Sequence, residues 1–185
     1  DVAYRETYEA FDEIFTDLTG WSILDKVNSE TLAQDWGDCM VIQGLVIADQ
    51  IAQTEALGRR GIRPAAVIGH SGGEVSAAWA AGALTLEQAV HLTVGRSGTQ
   101  RQFAGQGNMA ALQTSAEQAA ALIAEFGVPE LDIAAINSPR SVTLVGPQDA
   151  LKEFSRWAKR THRQACVILD INYPYHSAIL EPSQQ

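Results

Sequence analysis

Residues 65–73 constrain this chain more than any other stretch. They read Ala-Ala-Val-Ile-Gly-His-Ser-Gly-Gly, an apolar run too short for a helix, then a serine set among glycines, then a helical pattern over 74–81. A short run that is apolar on both faces is the mark of a parallel strand covered by helices on each side. Glycines in the turn that follows let the backbone take angles, and approach neighbours, that a β-carbon would resist. The predicted fold class is therefore α/β, with residues 65–69 as a central strand and 74–81 as the helix after it.

The flanking sequence fits that class. Tyr4, Tyr8, Phe11, Ile14, Phe15 and Leu18 recur at spacings of three and four, away from Glu6, Glu9, Asp12 and Asp17, which predicts an amphipathic helix over 3–18 stopped at Gly20. A second helix is predicted over 38–57, with Val41, Leu45, Ala48 and Ala52 on one face. Gly82 ends the helix at 74–81 and Thr85 opens the next. From about residue 107 the order changes to strand 109–112, helix 115–126 capped by Ser115, strands 131–136 and 141–145, helix 149–161 and strand 165–171. That β-α-β-β-α-β order is the ferredoxin-like one. It predicts a small subdomain over 107–172, inserted into a larger α/β domain made of 1–106 and 173–185.

Composition narrows the function classes. With 46% hydrophobic and 19% charged residues in 185, the chain is an ordinary globule and not a disordered or fibrous one. Thirteen Lys and Arg against 22 Asp and Glu leave a net charge of −9, opposite to the field that nucleic acid binding needs. Cys39 and Cys166 lie in no metal or disulfide spacing and are expected as buried, reduced thiols. No run of about 18 apolar residues could cross a bilayer, and no leader is evident, so a soluble cytoplasmic chain without membrane or metal is expected. The start at Asp1 without Met, and an end at 181–185 that closes no element, predict a piece of a longer protein.

A strand, then Gly69-His70-Ser71-Gly72-Gly73, then a helix is the setting of a nucleophile elbow. Ser71 would sit at a helix N-terminus, where free amides favour developing negative charge. The Gly72 N–H is the natural oxyanion donor, worth about 3 kcal/mol of barrier. Four histidines could serve as the base. His70 shares the turn and is expected to pack under it as a support, while His91 and His162 read as surface. His176 follows Asn172-Tyr173-Pro174-Tyr175, a turn stiffened by proline and two aromatics, and is the candidate partner of Ser71. Its plainer reading is a hydrogen-bonded turn histidine.

Taken together, these residues resemble the acyltransferase domain of type I polyketide synthases and its stand-alone relative, malonyl-CoA:acyl carrier protein transacylase. Residues 69–74 fit that family's G-H-S-x-G-E, and 80–87 its helix-turn sequence. Residues 135–146, with Asn137 as a supporting residue, resemble its N-x-P-x-S-V-x-x-x-G strand pair, and Tyr175-His176-Ser177 its histidine motif. The resemblance runs from about Trp36 to Glu181. It implies an α/β-hydrolase-like parallel-sheet core carrying the inserted ferredoxin-like subdomain. It places Arg96, 25 positions after the serine, as the binder of a substrate carboxylate. A malonyl-type group would pass from acyl-CoA through acyl-Ser71 to the phosphopantetheine thiol of an acyl carrier protein, with no tightly bound cofactor and with neighbouring synthase domains as further partners. Tyr175 borders the acyl pocket as the bulky residue of malonyl-selective relatives, whereas Tyr173 matches the methylmalonyl pattern and Gly72 is smaller than usual, so malonyl and methylmalonyl both stay open.

The family's opening G-Q-G-S/A-Q segment is absent, and Gly105-Gln106-Gly107 reads as a hinge into the small subdomain. The family's segments after the histidine are absent too. Two basic clusters could meet a carrier protein or CoA phosphates: Arg156, Lys159, Arg160 and Arg163 on one helix face, and Arg59, Arg60 and Arg63. Each could equally be a solvated surface. Two other classes compete. One is a serine hydrolase or thioesterase, against which stand the missing H-G-G-G-type loop, the lack of an acid before the histidine and the place of Arg96; the other is a non-catalytic fragment of a larger synthase.

Overall fold

In the computed structural model, which describes residues 1–184, the apolar stripe of residues 3–18 folds as helix α1 (Val2–Thr19). Gly20 ends it in the left-handed region, φ 79°, where glycine carries no β-carbon penalty. The chain forms two units, Asp1–Gly98 and Thr99–Gln185.

In the first unit, α1 is followed by α2 (Ile23–Val27), α3 (Leu32–Asp35), α4 (Cys39–Arg59), α5 (Gly73–Ala80) and α6 (Leu86–Arg101, which runs on into the second unit). Phe11 and Phe15 of α1, Ile23 of α2, Ile47 and Ile51 of α4 and Val90 of α6 are fully buried together. Gly44 lets α4 come close, since a β-carbon there would lie 3.0 Å from Ile23 Cδ1 and 3.2 Å from Phe15 Cε2. The Asp12 carboxylate is buried and satisfied, accepting from the Ile23 N–H at 2.5 Å and the Ser22 hydroxyl at 2.7 Å, which fixes the start of α2. Asp38 caps α4 through the Met40 N–H, and Thr85 and Gln88 cap α6 reciprocally.

The central strand predicted over 65–69 does not form. Among the described residues no strand lies in the first unit, and no parallel pair occurs anywhere. Residues 64–70 run without regular structure, and Ile68 is 97% exposed. The reason is physical: a strand exists through its neighbours' hydrogen bonds, and the unit offers this segment no second extended segment to pair with.

The second unit carries β1 (Asn108–Leu112), α7 (Ala116–Phe126), β2 (Asp132–Ser138), β3 (Ser141–Gly146), α8 (Gln148–His162), β4 (Cys166–Ile168) and a 3-10 turn over Ala178–Gln184. The strands form one antiparallel sheet in the order β2-β3-β1-β4, with Ala110 facing Leu144 on one side and Ile168 on the other. Ala110, Leu112, Val142 and Leu144 of the sheet bury against Leu151 and Phe154 of α8. Phe154 in turn meets Phe126 of α7 edge-on, ring centres 5.4 Å apart. The element order matches the sequence-based expectation, although the last strand is three residues long where 165–171 was expected. Cys39 and Cys166 are both buried, and neither forms a disulfide among the described residues.

Candidate functional site

The turn at residues 69–73 is built by close approach. A β-carbon on Gly69 would lie 2.5 Å from both the nitrogen and Cα of Glu74, and would collide with the Gly73 carbonyl oxygen as well. Only glycine fits there. Ser71 then takes φ 54°, a left-handed angle that a non-glycine residue adopts at a cost of about 1–3 kcal/mol and that clusters at functional sites. Gly72 caps α5 at its N-terminus, and its N–H has no acceptor among the described residues. Ser71 therefore presents its hydroxyl beside an open amide at the positive end of α5.

Arg96 comes to that hydroxyl from α6. Its Nη2 donates to Ser71 Oγ at 2.9 Å, and its Nη1 donates to Gln43 Oε1 on α4. The guanidinium is thus held, half-buried, between the Ser71 hydroxyl and a neutral amide. A planar fork in this position is suited to an anionic substrate group next to Ser71. Gln43 was not singled out from the sequence. Its signal was there: it is the one polar residue in the run Met40-Val41-Ile42-Gln43-Gly44-Leu45-Val46-Ile47.

The other candidates fall as follows. His70 is exposed, not packed beneath the turn as expected; the segment it follows has no neighbour to cover it. It borders an open depression of about 560 Å³ between α4, α5 and residues 66–70, lined also by Gln50, Thr54, Leu57 and Ser76. Neither Ser71 nor Arg96 lines that depression. His176 belongs to the second unit, in the turn after Pro174, exposed and with φ 58°. Just before it Tyr173 is buried, and Tyr175 stacks on Tyr173 with ring centres 5.3 Å apart at 16°. Asn137 donates to Thr143 Oγ1 at 2.9 Å and so pins the β2–β3 hairpin. His162 meets Glu125 at 3.2 Å, and His91 is exposed on α6.

The two basic clusters differ. Arg59 meets Glu55 at 3.0 Å and Glu6 at 3.3 Å, and Arg60 meets Asp1 at 2.6 Å, so most of that charge is already matched; Arg63 is exposed. Arg156, Lys159, Arg160 and Arg163 are all exposed, and none pairs with a carboxylate among the described residues. Among the described residues there is no cluster of His, Cys, Asp and Glu able to hold a metal ion, and no helix long and apolar enough to cross a membrane.

Comparison with known proteins bears on this arrangement. Residues 1–185 match the family described as acyl transferase domain. The chain is 36% identical over 172 residues to erythronolide synthase EryA2 of Saccharopolyspora erythraea, covering 93% of this chain and 5% of that protein. It is 32% identical over 183 residues to the mycoketide-CoA synthase of Mycobacterium tuberculosis, covering 97% of this chain and 4% of that one. Among solved structures, the acyltransferase domain of the polyketide synthase PpsC of Mycobacterium tuberculosis superposes with a TM-score of 0.83 at 32% identity, over 97% of this chain and 53% of that one. The acyltransferase domain from module 8 of the salinomycin polyketide synthase gives 0.86 at 26% identity, over 97% of this chain and 42% of that one. The chain thus spans a small fraction of these synthases and about half of the solved domains.

Proposed function

The chain belongs to the acyl transferase domain family, and on that footing we propose that it moves a malonyl-type acyl group from acyl-CoA, through an ester on Ser71, to the phosphopantetheine thiol of an acyl carrier protein. Ser71 Oγ attacks the thioester carbonyl while His176 accepts its proton, and His176 passes that proton to the departing sulfur, so that CoA leaves as the thiol. The Gly72 N–H receives the oxyanion. The carrier thiol gives its proton to His176 as it attacks the acyl-serine, and His176 hands that proton to the departing Ser71 Oγ, which restores the hydroxyl. The chemistry is carried by side chains and backbone amides, with no tightly bound cofactor.

One observation carries the substrate class: the Arg96 fork lies 2.9 Å from Ser71 Oγ. A malonyl group has a single carbon between its carboxylate and its thioester carbonyl. The group that binds the carboxylate must then lie within a few ångströms of the nucleophile, which is where Arg96 is. A longer diacid would need its cation further off, and an acetyl group offers no carboxylate for the guanidinium to bind. Holding the carboxylate also orients the carbonyl for attack. Tyr173, Tyr175 and Gly72 are proposed to shape the space around the α-carbon, with Asn137 as a support.

The architecture that accompanies this reading is an α/β-hydrolase-like core over 1–106 and 173–185, with a ferredoxin-like subdomain over 107–172. The antiparallel order β2-β3-β1-β4 and the TM-scores of 0.83 and 0.86 support it. For the acidic carrier protein, the exposed cations on and just after α8 are the better docking candidate, because Arg59 and Arg60 already serve carboxylates. Neighbouring synthase domains are the further partners proposed.

The test is the intact mass of the protein after mixing with malonyl-, methylmalonyl- and acetyl-CoA together. The expected result is a malonyl or methylmalonyl adduct on the Ser71 peptide, absent in Ser71→Ala and discharged by a carrier thiol. Release only as free acid would make the protein a hydrolase, and no adduct at all would sink the reading.

A further inference from the structure

The Gly105-Gln106-Gly107 loop, expected as a hinge into the small subdomain, is packed against the turn that carries His176. The Gly105 N–H donates to the Asn172 carbonyl at 2.9 Å, from a residue with φ 78°. A β-carbon on Gly107 would stand 2.8 Å from Pro174 Cβ and 3.1 Å from the Gly146 carbonyl oxygen at the end of β3. Residues 105 and 107 therefore touch both ends of the 172–174 segment, and the glycine at 107 is required by Pro174 itself. Behind them the strand is anchored, since the Leu169 N–H donates to the Met109 carbonyl at 2.9 Å.

What this cradle holds is an uncommon backbone. His176 has φ 58°, a conformation that persists in a non-glycine residue only where its surroundings over-determine it. Three further ties supply that. Tyr173 and Pro174 are buried, Tyr175 stacks on Tyr173, and the Ser177 hydroxyl donates back to the Pro174 carbonyl at 2.8 Å. The turn is held by its proline against Gly107 and stiffened by its stacked tyrosines.

We propose that Gly107 is a positioning residue for His176: by admitting Pro174 into close contact, it fixes the turn that aims the imidazole. The proposal rests on His176 acting as the base, and its mechanism is steric. Any side chain at 107 must push Pro174 outward by several tenths of an ångström, and the displacement reaches His176 two residues on. Proton transfer is sensitive to such shifts, because misplacement of a reacting group by about 1 Å can lower a rate on the order of a hundredfold.

The experiment compares this chain with G107A, P174G and H176A. Three quantities are read: the rate of acyl-serine formation against malonyl-CoA concentration, its pH profile, and the pH titration of the His176 imidazole C–H resonance by NMR. G107A and P174G are expected to lower the maximal rate by roughly ten- to a hundredfold with the half-saturating concentration unchanged, and to shift the rate profile and the imidazole titration together. A residue that merely stabilises the fold would lower the unfolding midpoint and leave both pH curves in place. P174G needs no space in the packed loop, so it decides the matter should G107A fail to fold. If H176A cripples the reaction while G107A and P174G leave the rate and both pH curves unchanged, the proposal is overturned. If H176A is harmless, the assignment of the base falls, and an unmoved imidazole resonance in the two turn variants still overturns the cradle.

Discussion

The two units bury similar apolar side chains by opposite means. In Asp1–Gly98 helices pack on helices around Phe11, Phe15, Ile47 and Ile51, and the segment most strand-like in sequence lies open at 64–70. In Thr99–Gln185 four strands satisfy one another, and α8 closes one face of the sheet. The difference teaches that a strand is a relation while a helix is a property. Each α-helix meets its hydrogen bonds from within, so α1 and α4 form wherever their stripe can be buried; residues 65–69 have the right composition and no partner. The two proposed catalytic groups fall one to each unit: Ser71 on a turn set by glycine sterics, and His176 on a turn set by proline and aromatic packing.

That contrast can be broken most directly at Gly69. Gly69→Ala puts a β-carbon into the backbone of residues 73–74, and overpacking of this kind costs about 1–3 kcal/mol even where side chains can adjust. Here the obstacle is main chain, so the elbow must distort and acyl-serine formation on malonyl-CoA is expected to disappear from the intact mass. Gly72→Ala is the control within the same turn. Its β-carbon would meet only Arg96 Nη1, at 3.7 Å, so the turn should keep its shape and the unfolding midpoint should stay at the parent value, whereas Gly69→Ala lowers it. An adduct in Gly69→Ala at the parent rate would contradict the close approach.

Next in size is Arg96. Losing a charge-assisted hydrogen bond costs about 1.5–3 kcal/mol, so Arg96→Ala should slow malonyl loading roughly ten- to a hundredfold while acetyl loading changes little. Equal losses for both acyl groups would remove the carboxylate role. Arg96→Lys should recover only part of the difference, because an ammonium cannot reproduce the fork that spans Ser71 and Gln43.

Alkaline titration distinguishes the units more gently. Burial, reinforced by the hydrogen bond to Asp49 and by its charge, pushes the Tyr4 phenol up to about 12 in the first unit, and burial alone pushes the Cys166 thiol up to about 11 in the second. Both groups stay protonated when folded, while the unfolded chain ionises from about 9 at the thiol and about 10 at the phenol. The stability they lend is whole below pH about 9 and is lost as pH climbs through 11 and 12, the second unit weakening first. Urea midpoints followed across that range by signals from each unit would show it, and midpoints that stay level would refute it. The smallest effect belongs to the surface. Reversing Lys159 and Arg160 to Glu should lower transfer to an acidic carrier protein a few-fold, most at low salt, without touching acyl-serine formation; loss of loading would contradict a docking role.

Much of this was legible in the sequence because it rests on local chemistry. The Ser115 cap placed the start of α7 within a residue, and the alternation at 141–145 marked β3. The tight turn around Ser71 could be read from its glycines, whereas the attention given to Arg96 came from family resemblance. Other features needed distance. Gln43 reaches Arg96 across 53 positions, and an isolated glutamine in a helix says nothing of what lies opposite. Helices α2 and α3 are too short for periodicity; α2 is held by the buried Asp12 carboxylate and the Ser22 hydroxyl. His70 could not be placed without knowing that nothing covers the segment before it.

The open segment at 64–70 has one more consequence, for time rather than shape. Its amides have no ladder to break, so in deuterated water they should exchange through solvent contact alone, while amides in the β1–β3 ladder wait for the second unit to open. The stretch leading to Ser71 is then a fast-labelling patch in an otherwise protected first unit. Anything that pairs with it, whether an added strand or another protein, would register as a sudden slowing of those few amides before any change in activity.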